Sequence, residues 1–185
     1  MIPPLDEEVV QRVNDLGSSL WSGETHRHTV AGRDPLSGVG ARLNGGRWNP
    51  RDLCSTLYLA QPLRACLAEL DRLAEASGTT TSQLLRASRA LHTVRVTDAP
   101  LLDLREESAL TYVGLSLDDI RDPDWTACQT VGHAAYFLEM AGIVAPSATG
   151  EGLVVAIFET RVAPEQVVVT KTVALDEATY ETGRG

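Results

Sequence analysis

The run Gly152-Leu153-Val154-Val155-Ala156-Ile157-Phe158 places apolar side chains on both of its alternating faces. Only a strand covered on each side, in the middle of a sheet, suits that pattern. Val167-Val168-Val169-Thr170 reads as another strand, and Thr56-Leu57-Tyr58-Leu59-Ala60 as a short one bounded by Pro62. Trp21 to Val30 mixes polar and β-favouring residues, as a short strand near a sheet edge does. His92-Thr93-Val94-Arg95-Val96 and Leu101-Leu102-Asp103-Leu104 add two more.

Helical spacing is interleaved with these strands. Asp6 caps a helix running to Leu16, with Glu7 and Glu8 at the positive end of its dipole. Pro62 opens a helix whose Leu63, Cys66, Leu67, Leu70 and Leu73 recur at core spacing. On that helix Glu69 falls at the flank of the apolar stripe, while Arg72 falls on the opposite face. Further helices are expected over 81–91 and 125–141, the second with Thr126, Gln129 and His133 in a polar stripe beside its apolar face. Residues 106–124 read as loop with short helical turns, and the tail from Asp176 as a short turn that frays. No repeat or linker divides the chain, so 1–185 is expected to form a single domain of the α/β (α+β) class.

Between the first strand and the second lies Ala41-Arg42-Leu43-Asn44-Gly45-Gly46-Arg47-Trp48-Asn49-Pro50, a shaped loop. Gly45 and Gly46 let a ligand approach the main-chain N–H groups. Arg47 offers a planar charged fork that matches two phosphate oxygens, and Trp48 offers a flat surface for stacking or for anchoring the loop.

The formal charge of -9 argues against a nucleic-acid-binding surface, which needs clustered positive charge. It does not exclude a small phosphate-bearing ligand, because a few arginines focused in a cleft dominate the local potential. Cys54, Cys66 and Cys128 form no CxxC pair and stand at no metal-ligand spacing with histidine, so they read as small buried hydrophobes and no metal is expected. The first residues lack a basic and then apolar leader, and no run is long enough to span a bilayer. A cytoplasmic protein without a membrane association is the expectation.

Arg27, the Gly45-Gly46-Arg47-Trp48-Asn49-Pro50 loop, Tyr58 on a strand and Glu69 on the following helix together resemble the RES-domain family. Its members are toxins of bacterial toxin–antitoxin pairs whose partner is an Xre-type helix-turn-helix antitoxin. The resemblance extends to Trp125-Thr126 and Gly132-His133-Ala134-Ala135 and covers nearly the full length. It implies a fold related to ADP-ribosyltransferases, with a mixed β-sheet core over roughly residues 20–175 and flanking helices. It also implies action on NAD+, as substrate and not as cofactor, with inorganic phosphate as a candidate co-substrate.

The family is named for an arginine, a glutamate and a serine. The arginine positions match at Arg27 and Arg47, the glutamate at Glu69, and the serine position at Thr126, which keeps a hydroxyl. His28 stands where related toxins often carry tyrosine. The expected chemistry is cleavage of the nicotinamide–ribose bond by water or phosphate, with Glu69 and Arg47 catalytic. Glu69 stabilises positive charge on the sugar. Arg27 and Arg47 hold the diphosphate, Tyr58 packs against the nicotinamide end, and His28, Thr126 and Gln129 complete the NAD+ contacts. Transfer of ADP-ribose to a protein, or a silent module that binds NAD+ or pairs with the antitoxin, are the alternatives. The antitoxin is expected to cover the cleft between the Gly-rich loop and the Glu69 helix.

Overall fold

The computed structural model describes residues 2–185. Its centre is a mixed sheet that curls until its ends meet. The strands are β1 (Ser19–Val30), β2 (Thr56–Gln61), β3 (Arg89–Asp103), β4 (Gly142–Pro146), β5 (Leu153–Phe158) and β6 (Val167–Ala174). The ladder runs β1-β2-β5-β4-β3-β6, and β1 pairs with β3 as well, so five strands close into a ring with β6 added outside it on β3. The β3–β4 pairing is parallel and the others are antiparallel. One seam is thin: β1 and β2 share a single register pair, His26 with Ala60.

β5 lies between β2 and β4, as an apolar run on both faces requires. Its Val155 and Ile157 point into the ring with Leu57, Leu59, Val94 and Leu101. Ala156 and Phe158 point outward, into a second core built with α1 (Glu7–Leu16), α5 (Glu107–Tyr112), α6 (Leu117–Arg121) and α7 (Thr126–Phe137). A third cluster joins Ala60 and Leu91 to α3 (Leu63–Ala76), where Ala65, Cys66, Leu67 and Leu70 are buried. All three cysteines are buried and free. No helix among the described residues is long and apolar enough to cross a membrane.

Several elements depart from the sequence expectation. β1 is a 12-residue strand paired on both sides, not a short edge. The two strands expected over 92–96 and 101–104 are one 15-residue strand, β3, whose Asp98 takes φ 47 where the register with β1 shifts between Val96 and Ala99. The helix expected over 81–91 is only α4 (Thr81–Leu85), because from Arg89 the chain is taken up by pairing with β1 and β6. α7 stops at Phe137, where Glu139 in the left-handed region at φ 62 ends it, and Gly142 starts β4. The tail does not fray: it forms α8 (Glu177–Arg184), and Arg184 reaches Glu151 at 3.0 Å and Asp71 at 3.6 Å.

Candidate active site

The cavity sits at the thin seam. Where β1 and β2 part on either side of His26 and Ala60, a space of about 460 Å³ opens. Its walls include Arg27 and His28 from β1, Tyr58 from β2, Glu69 and Arg72 from α3, and Ser147 from the turn after β4. Gly45, Gly46 and Arg47 cover one side. A volume of that size accommodates a substantial part of a dinucleotide.

The Gly-rich stretch begins as helix α2 (Val39–Asn44) and leaves it through Gly45 at φ 76. Its shape is then held by one phenol. Tyr58 Oη accepts the Trp48 N–H at 2.8 Å and donates to Asn49 Oδ1 at 2.8 Å. Asn49 Nδ2 in turn donates to the Ala41 carbonyl at 2.9 Å. Gly46 lies over the Tyr58 ring so closely that a Cβ there would sit 2.5 Å from Oη, so only glycine fits. Burial pushes the Tyr58 phenol far above its usual range and keeps it a neutral donor. Trp48 is fully buried, so it anchors the loop and offers no stacking face.

Both loop-side arginines are partly committed to the backbone. Arg27 donates to the Pro35 carbonyl at 2.7 Å and to the Ser37 carbonyl at 3.0 Å. Arg47, 9% exposed, donates through Nη1 to the carbonyls of Asp122 at 3.0 Å and Asp119 at 3.3 Å, with its guanidinium 5.8 Å from the Trp125 ring. These bonds fix the direction of each fork and leave its other N–H groups for a ligand.

Arg89, the first residue of β3, places its Nη1 3.2 Å from Nδ1 of His28 on β1. A guanidinium cannot accept, so His28 Nδ1 must, and the neutral ring carries its proton on Nε2. Burial, reinforced by the positive charges of Arg89 and Arg27, lowers this imidazole to about 4.

On the opposite wall Ser147 Oγ, 3% exposed, donates to Glu69 Oε1 at 3.2 Å and lies 2.8 Å from Thr149 Oγ1. The Ser147 N–H is fixed to the Gly152 carbonyl at 3.0 Å. The Ser147–Glu69 bond holds one oxygen of the carboxylate at the wall of the cavity Glu69 lines.

Of the residues singled out in the sequence, Arg27, His28, Arg47, Tyr58 and Glu69 converge on this space. Thr126 and Gln129 do not line it. Thr126 is exposed at the start of α7, where its hydroxyl donates to Asp124 Oδ1 at 2.6 Å. Gln129 donates to the Gly46 carbonyl at 2.9 Å and so supports the loop from behind. The serine in contact with Glu69 is Ser147, which no motif marks, since it lies 78 residues away in a turn. Arg72 also departs from expectation: three residues after Glu69, it is its neighbour along the helix surface and shares the cavity wall. No cluster of metal-binding side chains occurs among the described residues.

Comparison with known proteins adds three findings. The RES domain matches residues 20–178. The proteins named NAD(+) phosphorylase MbcT from Mycobacterium tuberculosis and Mycobacterium bovis are 47% identical over 181 residues, 98% of this chain and 97% of theirs. The crystal structure of the M. tuberculosis MbcT–MbcA toxin–antitoxin complex matches with a TM-score of 0.92 at 47% identity, covering 98% of this chain and 99% of that one.

Proposed function

Because the chain belongs to the RES-domain family, we propose that it is the toxin of a toxin–antitoxin pair and degrades NAD+ as a phosphorylase. The observation that carries the reading is the Glu69 carboxylate, held by Ser147 in a cavity whose walls also bring Arg27 and Arg47.

In this reading Arg27 and Arg47 grip the diphosphate through the N–H groups left free by their backbone bonds. Breaking the bond between nicotinamide and ribose builds positive charge on the anomeric carbon, and Glu69 stabilises that charge at short range. Ser147 keeps the carboxylate in place and takes the role for which the sequence pattern offers Thr126. Tyr58 shapes the nicotinamide side through the loop it holds, and His28 presents its Nε2–H. Gln129 acts at one remove, by supporting Gly46. NAD+ is consumed as a substrate, so no resident cofactor is needed.

The partner in this proposal is an Xre-type helix-turn-helix antitoxin that covers the cleft between the Gly-rich loop and α3, and the pair works in the cytoplasm, where NAD+ is held. The toxin, incubated with NAD+ and phosphate, should release nicotinamide and ADP-ribose-1″-phosphate, identified by mass. Glu69→Gln should lower kcat about a hundredfold or more while changing KM for NAD+ little. Turnover by Glu69→Gln at the wild-type rate would remove the carboxylate from the mechanism, and intact NAD+ with the wild type would remove the function.

A further inference from the structure

A phosphorylase must place a second anion beside a carboxylate. Inorganic phosphate carries one to two negative charges near pH 7, and its target carbon lies next to Glu69 in a protein with a formal charge of -9. Unless a cation lies between them, two like charges at such short range repel strongly. Arg27 and Arg47 are poorly suited to this task, since part of each fork is bound to backbone carbonyls and the proposed function assigns their remaining donors to the substrate's own diphosphate.

Arg72 is different. It lines the same cavity one helical turn from Glu69, it is only part-buried, and it takes part in none of the ion pairs among the described residues. It donates none of the side-chain hydrogen bonds that fix the other two arginines. Positions three apart on a helix have Cβ atoms about 5–6 Å from one another, close enough for one phosphate to meet the guanidinium while an oxygen faces the sugar beside the carboxylate.

We propose that Arg72 binds the inorganic phosphate and so makes the reaction a phosphorolysis in place of a hydrolysis. This rests on the reading of the protein as an NAD+-cleaving enzyme. A phosphate oxygen held by Arg72 forms the new bond to the anomeric carbon. The carbon–nitrogen bond breaks with its electron pair going to nicotinamide, which leaves neutral, and the product is ADP-ribose-1″-phosphate. Without bound phosphate, water supplies the oxygen and loses a proton to solvent, and the product is ADP-ribose.

The test follows both products by mass while inorganic phosphate is titrated, for the wild type, Arg72→Gln and Arg72→Lys. The expected result for Arg72→Gln is a KM for phosphate raised about tenfold or more, a product mixture shifted towards ADP-ribose, and a KM for NAD+ within about twofold of wild type. Arg72→Lys should fall between, because it keeps the charge but not the planar fork. An unchanged KM for phosphate and product ratio in Arg72→Gln would overturn the assignment. So would a rise confined to the KM for NAD+, which would place Arg72 on the dinucleotide's own phosphates. Wild-type protein that leaves NAD+ intact would overturn the underlying function as well, an outcome distinct from either of these.

Discussion

Gly132 on α7 lies directly beneath the carbonyl of Trp48, so closely that a methyl group on Gly132 would overlap the Trp48 oxygen. The obstruction is backbone, which cannot swing aside as a side chain can. Gly132→Ala should therefore push the Gly-rich loop off the helix, at a stability cost of about 1–3 kcal/mol. Urea unfolding of the variant measures that cost, and a KM for NAD+ that rises with it ties the loop's seat to binding. An alanine variant of wild-type stability would show that loop and helix move apart freely.

Tyr58→Phe keeps the ring under Gly46 but removes the atom that joins the Trp48 N–H to Asn49 Oδ1. A buried donor and a buried acceptor then lose their partners, a loss of about 1–3 kcal/mol. The expected signature is lower stability together with weaker NAD+ binding. If binding weakened with no change in unfolding midpoint, Tyr58 would be a direct ligand and not the keystone of the loop.

Ser147→Ala should lower kcat by about tenfold, the effect of one hydrogen bond to a charged group, and leave KM for NAD+ nearly unchanged. Thr126→Ala should not affect either parameter, since that hydroxyl is bonded to Asp124 outside the cavity. The reverse result, loss with Thr126→Ala and none with Ser147→Ala, would return the family's serine role to α7.

His28 sets an acid limit on stability. Its folded value is lowered to about 4 from an ordinary 6.5, so between those values the unfolded chain holds the proton and the folded chain does not. The stability it contributes is complete above about pH 6.5 and is lost as pH falls towards and through about 4. Melting temperature measured across that window should decline in the wild type and decline less in His28→Gln. Parallel curves for the two proteins would assign the acid sensitivity elsewhere.

Much of this site follows from local rules. Helical spacing puts Glu69 at the edge of a buried stripe and an apolar run on two faces gives a central strand, but at Gly46 the close approach is that of the Tyr58 ring, and the N–H expected to face a ligand is bonded to the Asn49 carbonyl. What local rules miss depends on partners distant in sequence. The stretch over 86–91 satisfies a helical pattern, yet pairing with β1 and β6 takes it into β3 from Arg89 onward. Ser147 is drawn to Glu69 by β4, a strand of only five residues that is too short to show a period of its own. Arg72 looks solvent-facing on a helical wheel because a wheel does not show that other elements close a cavity around that side of α3.

The single pair that joins β1 to β2 also sets where hydrogen exchange within the ring is expected to be fastest. β1 is paired along its other side with β3 and β2 with β5, so only the amide hydrogens that face the gap between β1 and β2 lack a ladder partner, and those are expected to exchange through small local openings, without global unfolding. In the proposed function a dinucleotide bound there would span the gap, with Arg27 on one lip and the Tyr58-held loop on the other. Deuterium uptake at those amides is therefore a built-in gauge of occupancy: fast in the empty protein, slowed by ligand, and slowed again by whatever partner closes over the same opening.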